Sequence, residues 1–234
     1  MSIVDLASKA AALVADGKGI LAADETPKTL TKRFDALSIP STPDTRRNYR
    51  EMLFGALGIA RFISGVIMQD ETIYQQNSIG TPFADVLSQQ GIIPGIKVDT
   101  GAKPLAGTTA ENITEGLDGL RDRLKDYAQT GARFAKWRAV IHIGEALPTF
   151  GYVLVNAHAL ARYAALCQEQ GLVPIVEPEV LMDGSRMIER CEEVTGNVLQ
   201  ATFGVLCATS QPRSHVAEAQ HDHRGERLSE TGFC

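Results

Sequence analysis

The strongest constraint on the fold is an apolar run that ends in two carboxylates. Residues 171–179 read Gly-Leu-Val-Pro-Ile-Val-Glu-Pro-Glu. The aliphatic part is typical of a buried strand in a parallel sheet. Because side chains alternate along a strand, Glu177 and Glu179 share one face, where cations or a substrate proton must offset their burial. The alternative interpretation is a strand end that continues into a solvated acidic loop.

Four further apolar runs end in polar or charged residues, and helical patterns separate them. The predicted strands cover residues 20–25, 62–68, 91–99 and 131–138. The predicted helices cover residues 3–16, 43–58, 82–87, 109–129, 151–170 and a segment from 183 or 185 to about 202, with a Lys- and Thr-rich loop over 26–33. This alternation predicts an α/β fold with a parallel sheet. Charged strand ends favour a (β/α)8 barrel, because the Gly-rich fingerprint usual in a doubly wound sheet does not follow the first strand.

The charged residues at the strand ends form one candidate site. They are Asp24, Lys97, Lys136, Arg138, Glu177 and Glu179. Taken singly, Asp24 could cap a turn and Lys97 could extend to solvent. Taken together, they suit an anionic substrate, with the cations facing phosphate and the carboxylates moving protons. A desolvated lysine amine is the candidate nucleophile, since no serine or cysteine nucleophile motif stands out.

Composition excludes several other classes of protein. The net charge of −5 and the lack of a basic run argue against a nucleic-acid partner. Neither a signal peptide nor a membrane-spanning run is found, and four scattered cysteines predict free thiols, so we expect a cytoplasmic protein without a membrane partner. His142 and His158 are isolated in sequence, so no metal and no cofactor are expected.

Four motifs, in order and properly spaced, carry a resemblance to a known family. They are Gly-Lys-Gly-Ile-Leu-Ala-Ala-Asp-Glu (17–25), Gly-Ile-Lys-Val-Asp (95–99), Phe-Ala-Lys-Trp-Arg (134–138) and Val-Pro-Ile-Val-Glu-Pro-Glu (173–179). Over residues 3–206 the chain resembles class I fructose-bisphosphate aldolase. The resemblance implies a (β/α)8 TIM-type barrel, homotetrameric in intact members, that acts in glycolysis and gluconeogenesis. The implied reaction is the reversible cleavage of fructose 1,6-bisphosphate to dihydroxyacetone phosphate and glyceraldehyde 3-phosphate, through a lysine Schiff base and without metal.

The resemblance also implies catalytic roles for four of these residues. Asp24 is expected beside the Schiff-base lysine, where it assists carbinolamine formation and bond cleavage. Glu177 is expected to shuttle protons during Schiff-base formation. Glu179 would orient its neighbours, and Lys136 would stabilise the anionic intermediate.

Three residues are expected to bind substrate phosphate by the same resemblance. Arg138, Lys97 and Thr29 match positions that contact the far phosphate. Thr29 replaces the serine usual in the family and keeps the hydroxyl.

The family's Schiff-base lysine is missing from this chain as written. Its motif, Leu-Leu-Lys-Pro-Asn-Met, is expected shortly after residue 206, but residues 207–224 contain neither a lysine nor a strand pattern. If residues 215–223 were encoded by CAT GTT GCT GAA GCC CAA CAT GAT CAT, reading one base later would give Met-Leu-Leu-Lys-Pro-Asn-Met-Ile-Ile. We therefore interpret the tail as a frameshift product, and we disfavour a metal-binding tract at His221 and His223.

These observations predict a damaged enzyme. Residues 1–206 would form a partial barrel domain with about five of eight strand–helix units and exposed sheet edges, and residues 207–234 an aberrant, disordered tail. The chain as written is then expected to be inactive. The alternatives are a non-catalytic sugar-phosphate-binding or regulatory remnant, and a barrel lyase with a different substrate.

Overall fold

Parallel strands alternate with helices along the chain, as the sequence predicts. The computed structural model describes residues 3–209 and 216–217, with the side chains of residues 5–209. The strands are β1 (Gly19–Ala22), β2 (Ile63–Met68), β3 (Ile93–Lys97), β4 (Gly101–Pro104), β5 (Asn112–Glu115), β6 (Phe134–Ile141), β7 (Val173–Val180) and β8 (Val216–Ala217). One parallel sheet has the order β1-β2-β3-β6-β7-β8, and β4 pairs with β5 in an antiparallel hairpin.

Helices connect the parallel strands. They are α1 (Ile3–Leu13), α2 (Pro27–Asp35), α3 (Pro43–Phe54), α4 (Asp70–Ile73), α5 (Phe83–Gln89), α6 (Leu120–Thr130), α7 (Phe150–Glu169) and α8 (Ile188–Thr209). Thr26, Thr42 and Thr149 begin α2, α3 and α7, because each hydroxyl accepts a hydrogen bond from a backbone N–H of the first turn. None of the helices in the described residues is long and apolar enough to cross a membrane.

The two faces of the sheet bury different partners. One face, with Val66, Met68, Ile96, Trp137 and Val176, packs against the surrounding helices. On the other face, a second cluster unites side chains of α1 with side chains of β2 and of the first halves of β6 and β7. It contains Leu6, Ala10, Leu13, Ile67, Phe134, Val173 and Ile175. Because Phe134 and Val173 are the first residues of β6 and β7, α1 covers the amino-terminal part of this face. The carboxyl-terminal part is left for polar side chains.

Close packing around Phe134 requires glycine on two neighbouring strands. A Cβ atom on Gly95 would lie 2.2 Å from Cζ of Phe134, and one on Gly65 would lie 2.7 Å from Cδ2 of Leu13. The ring of Phe134 therefore lies directly against the backbone of β3. This contact fills the apolar core on the amino-terminal side of the candidate site.

Several elements differ from the sequence prediction, among them α4 and β4, which it did not contain. Residues 27–35 form α2 rather than a loop, because Thr26 and Pro27 start a helix that buries Leu30 and Phe34. Residues 112–115 form β5 rather than the start of a long helix. Gly116 and Gly119 adopt φ of 130° and 64°, which prevents α6 from starting earlier.

The end of the chain differs from the prediction as well. The helix α8 continues to Thr209, beyond the predicted helix end at about residue 202. A two-residue strand, β8, pairs with Ile175 and Val176 of β7, although no strand pattern is visible there in the sequence. The rest of the predicted tail lies outside the described residues. Cys167 and Cys191 are free, as predicted, whereas Cys207 is disulfide-bonded, against the prediction.

We expect Gly95→Ala to lower the free energy of unfolding by about 2 kcal/mol, because the new methyl group overlaps the Phe134 ring in a filled core. The matched control is Gly196→Ala in α8, where a Cβ meets nothing within 4 Å and helix propensity favours alanine. Urea denaturation monitored by circular dichroism measures both. Equal stabilities for Gly95→Ala and the parent chain would contradict the packing described here.

Candidate active site

A buried lysine between two carboxylates forms the centre of the candidate site. Lys136 of β6 places its Nζ 2.9 Å from Oε2 of Glu177 and 3.8 Å from Oδ2 of Asp24. The side chains of Lys136 and Glu177 are only 8% and 1% exposed. Each charge is expensive to bury alone, and the ion pairs offset that cost. The structure thus brings together three of the four residues predicted to be catalytic.

The fourth predicted catalytic residue, Glu179, lies at the rim of the same site. Its carboxylate accepts a hydrogen bond from Nε of Arg138 on the adjacent strand. Burial alone lowers the pKa of Arg138, but the hydrogen bond that Arg138 donates to Glu179 and the charges of Glu179, Glu177 and Asp99 raise it above its usual value. Arg138 therefore stays a cation and is held by Glu179.

Lys97 is held by a neighbour that the sequence analysis did not assign. Its Nζ donates to Oδ1 of Asp99 at 2.5 Å and to the Asp99 carbonyl oxygen at 3.1 Å. Asp99 also accepts a hydrogen bond from the backbone N–H of Gly101 at 3.1 Å, and its other carboxylate oxygen lies 3.5 Å from the backbone nitrogen of Arg138. Residues 97 and 99 are two apart at a strand end, the only sequence signal that could have revealed this contact.

Thr29 is not joined to the other predicted phosphate ligands. It is exposed in the first turn of α2, and its hydroxyl lies 3.1 Å from the Thr26 hydroxyl. Within the described residues, no hydrogen bond links Thr29 with Lys97 or Arg138. The backbone N–H of Thr29 bonds to Thr26 at 3.3 Å, so this residue also helps to start α2.

Glu25 and Arg50 form a clamp that the sequence analysis missed. Nη1 and Nη2 of the buried Arg50 donate to Oε2 and to the backbone oxygen of Glu25, at 2.6 and 3.1 Å. Arg33 donates to the other carboxylate oxygen. Burial alone raises the pKa of Glu25, but the hydrogen bond from Arg50 and the charges of Arg50 and Arg33 lower it below its usual value. The clamp fixes the backbone next to Asp24; no sequence signal links residues 25 and 50.

A second buried carboxylate anchors the loop that follows β6. Glu111, which precedes β5, accepts hydrogen bonds from the backbone nitrogen and the hydroxyl of Thr149, at 2.7 and 2.8 Å. Thr149 is the residue that caps α7. The hairpin of β4 and β5 is therefore tied to the start of α7, beside the strand that carries Lys136 and Arg138.

Polar contacts, rather than ligands for a metal ion, define this group. Among the side chains that the structure describes, no three or more His, Cys, Asp and Glu residues are arranged to hold a metal ion. His142 and His158 are both exposed. The site contains the buried Lys136 ammonium between two carboxylates that can accept protons. Lys97 and Arg138 lie at the rim as two further cations.

Comparison with known proteins decides the family. A sequence model described as fructose-bisphosphate aldolase class-I matches residues 5–210. The chain belongs to this class I aldolase family. A probable fructose-bisphosphate aldolase class 1 from Xanthomonas campestris pv. campestris is 58% identical over 206 residues, which cover 88% of this chain and 62% of that protein. The cytosolic fructose-bisphosphate aldolase 6 of Arabidopsis thaliana is 52% identical over 202 residues, 86% of this chain and 56% of that protein.

A solved aldolase structure confirms the predicted fold class. Plasmodium falciparum fructose-bisphosphate aldolase, crystallised with TRAP and a small-molecule inhibitor, matches with a TM-score of 0.90 and 46% identity over 92% of this chain and 63% of that chain. The five long parallel strands are therefore half of an aldolase TIM-type barrel, which is incomplete here. The class I aldolase chain described here spans less than two thirds of the length of each of these relatives.

The two arginines on Glu25 provide a test of the clamp. We expect Arg50→Met to lower the free energy of unfolding by about 3 kcal/mol, because Arg50 is buried and its loss leaves Glu25 partly uncompensated. Arg33→Met removes the other arginine, which is 58% exposed, and we expect a loss below about 1 kcal/mol. Urea denaturation of both variants measures the difference. Equal losses would show that burial does not determine the strength of the two pairs.

The lowered pKa of Glu25 predicts acid-dependent stability. Because the folded pKa lies below the usual value of 4.5, the contribution of Glu25 is complete above pH 4.5 and is lost as the pH falls through the folded pKa. We therefore expect the stability difference between the parent chain and Glu25→Gln to be large at pH 7 and to shrink below pH 4.5. Denaturation curves measured across that range check this, and a constant difference would refute it.

Proposed function

We propose that this chain carries the proton-transfer and phosphate-binding half of a class I fructose-bisphosphate aldolase, which reversibly cleaves fructose 1,6-bisphosphate to dihydroxyacetone phosphate and glyceraldehyde 3-phosphate. The single observation that carries the proposal is the buried contact of Lys136 of β6 with Glu177 of β7 and with Asp24, which follows β1. This contact lies on the carboxyl-terminal side of the apolar cluster around Phe134, the side on which barrel enzymes place their sites. The proposed reaction is inferred from the family to which the chain belongs.

Each charged group has a chemical task in this proposal. Glu177 accepts and returns protons during the formation of the Schiff base, and Lys136 supplies positive charge to the anionic intermediate. Asp24, on the other side of Lys136, assists bond cleavage. Arg138 and Lys97 bind a substrate phosphate, while Glu179 holds Arg138 in position. Thr29 lies in the first turn of α2, so it could contact the substrate phosphate only from that helix.

The chain as written lacks the nucleophile that this reaction needs. No lysine follows Lys136 in the sequence. We propose that a frameshift near residue 207 has replaced the Leu-Leu-Lys motif, so that the written chain is inactive. The position of β8 supports this proposal, because Val216 and Ala217 pair with β7 where a sixth barrel strand belongs. These two residues overlap the Leu-Leu codons of the shifted reading frame.

The proposal extends to the cellular setting. Plant relatives are named cytosolic, and the substrates are small phosphorylated sugars, so we propose that the protein acts in cytoplasmic glycolysis and gluconeogenesis. We propose the homotetramer implied by the family for the protein with its frame restored. Residues 1–206 would be the part of the barrel that is encoded correctly.

Trapping of the Schiff base tests this function. We expect dihydroxyacetone phosphate and sodium borohydride to form no covalent adduct with the written chain. DNA sequencing across codons 200–234 would reveal the gained or lost base, and the protein expressed from the restored frame should form one adduct, located by mass spectrometry on the restored lysine. The matched control is Lys136→Met in the restored frame. It should abolish turnover, because the intermediate loses its stabilising charge.

One outcome would contradict the proposal, and another would narrow it. An adduct on the written chain would show that Lys97 or Lys136 can serve as the nucleophile, and that the chain is not inactive. An unchanged DNA sequence would exclude a sequencing error and would leave a gene inactivated by a real frameshift as one explanation. The other explanation would be the second candidate function, which is sugar-phosphate binding without catalysis.

This second function is favoured by the cations that remain at the rim. Lys97 and Arg138 occupy partly exposed positions beside the buried centre. Saturable binding of fructose 1,6-bisphosphate by the written chain, measured by isothermal titration calorimetry, would support a binding role. Absence of binding would leave no role for the written chain.

A further inference from the structure

Arg33, Lys97 and Arg138, three cations near the site, are each paired with a carboxylate that is less exposed than the cation. Side-chain exposure is 58% for Arg33 against 13% for Glu25, 17% for Lys97 against 3% for Asp99, and 41% for Arg138 against 13% for Glu179. An anion that approaches from solvent therefore meets the cations first. Before it binds, each of these cations has an internal counter-ion.

Asp99 is the most deeply buried of the three carboxylates. Its Oδ1 accepts hydrogen bonds from the Lys97 ammonium and from the backbone nitrogen of Gly101, at 2.5 and 3.1 Å. The Lys97 ammonium makes a second hydrogen bond to the Asp99 carbonyl oxygen at 3.1 Å. Two of the three N–H donors of Lys97 are thus directed at one residue. Asp99 also lies 3.5 Å from the backbone nitrogen of Arg138, which carries the next rim cation.

We infer that Asp99 is a positioning residue that acts through Lys97 as an internal counter-ion, and that a phosphate group of the substrate takes the ammonium over from it. The inference rests on the proposed function, because it assumes that Lys97 contacts phosphate. It adds a residue and a direction of effect that the family resemblance does not assign. The Asp99 carboxylate holds Lys97 in place before the ligand binds. Because it competes with the ligand for the ammonium, it lowers the affinity of the site for anions.

Charge explains why such an exchange selects for phosphate. The anion must compete with a carboxylate that is fixed at hydrogen-bond distance, so a singly charged anion gains little by replacing it. A phosphate monoester carries a charge of about −1.5 to −2 at pH 7 and three acceptor oxygens. A phosphate can therefore accept a hydrogen bond from the third N–H of Lys97 first, and then from the two that Asp99 had accepted. Asp99 thus weakens the binding of singly charged anions more than the binding of phosphate.

Binding of inorganic phosphate tests the inference on the written chain. Asp99→Asn keeps the size of the side chain and an oxygen that can accept from Gly101, but removes the negative charge. We expect it to lower the dissociation constant for phosphate about fivefold, as measured by isothermal titration calorimetry at low ionic strength. Loss of a purely structural contact would weaken binding, so the direction of the change separates the two roles.

Two further variants show whether the effect runs through Lys97. Lys97→Met should weaken phosphate binding, and adding Asp99→Asn to Lys97→Met should restore little of it. The matched control is Asp16→Asn, an exposed residue between α1 and β1, at the opposite end of the strands. It changes the net charge by the same amount and should leave the dissociation constant unchanged. Near-ultraviolet circular dichroism confirms that each variant is folded.

The outcomes separate this inference from the proposed function. If Lys97→Met leaves phosphate binding unchanged, the assigned phosphate contact is wrong, and the counter-ion role is refuted with it. If Lys97→Met weakens binding but Asp99→Asn does not strengthen it, the phosphate contact stands and the counter-ion role is overturned. An equal gain from Asp16→Asn would show a general charge effect and would also overturn it.

Discussion

The buried contact between Lys136 and Glu177 is the interaction on which the site depends. The two side chains extend from adjacent strands, and each would be strongly disfavoured in this position without the other. Their pairing lets charged groups lie within β6 and β7, directly after the apolar residues Ala135 and Val176. Asp24, which follows β1, approaches the same ammonium, so β6, β7 and the segment after β1 contribute to a single charged centre.

The placement of this centre follows from how the inner face of the half-barrel is divided. The helix α1 and the Phe134 ring fill the amino-terminal part of that face with apolar atoms. Gly65 and Gly95 allow the ring to lie against the backbone, which closes this part of the face. Polar groups are consequently confined to the other end of the strands. Lys136 and Glu177 are buried there, whereas Arg138 at the rim is 41% exposed.

Glu25 and Arg50 fix the backbone beyond the carboxyl end of β1. Within the described residues β1 pairs only with β2, so its carboxyl end lacks the support of a second strand. The Arg50 side chain crosses from α3 and binds both the carboxylate and the backbone oxygen of Glu25. This contact holds the backbone next to Asp24. Glu25, Asp99 and Glu179 lie beneath Arg33, Lys97 and Arg138 and balance their charge.

The sequence by itself determined the alternation of strands and helices, the parallel sheet, and the positions of Lys136, Glu177 and Arg138 on one face. These follow from local periodicity, because residues two apart on a strand must share a face. Only the tertiary structure decided which charges pair. Residues 25 and 50 are far apart in sequence, and no periodicity encodes their contact; the same is true of Glu111 and Thr149. The helix α2 and the strand β5 were mispredicted because a cap and two glycines outweighed weak local patterns. Long-range pairing of buried charges depends on distances across strands, which local sequence does not contain.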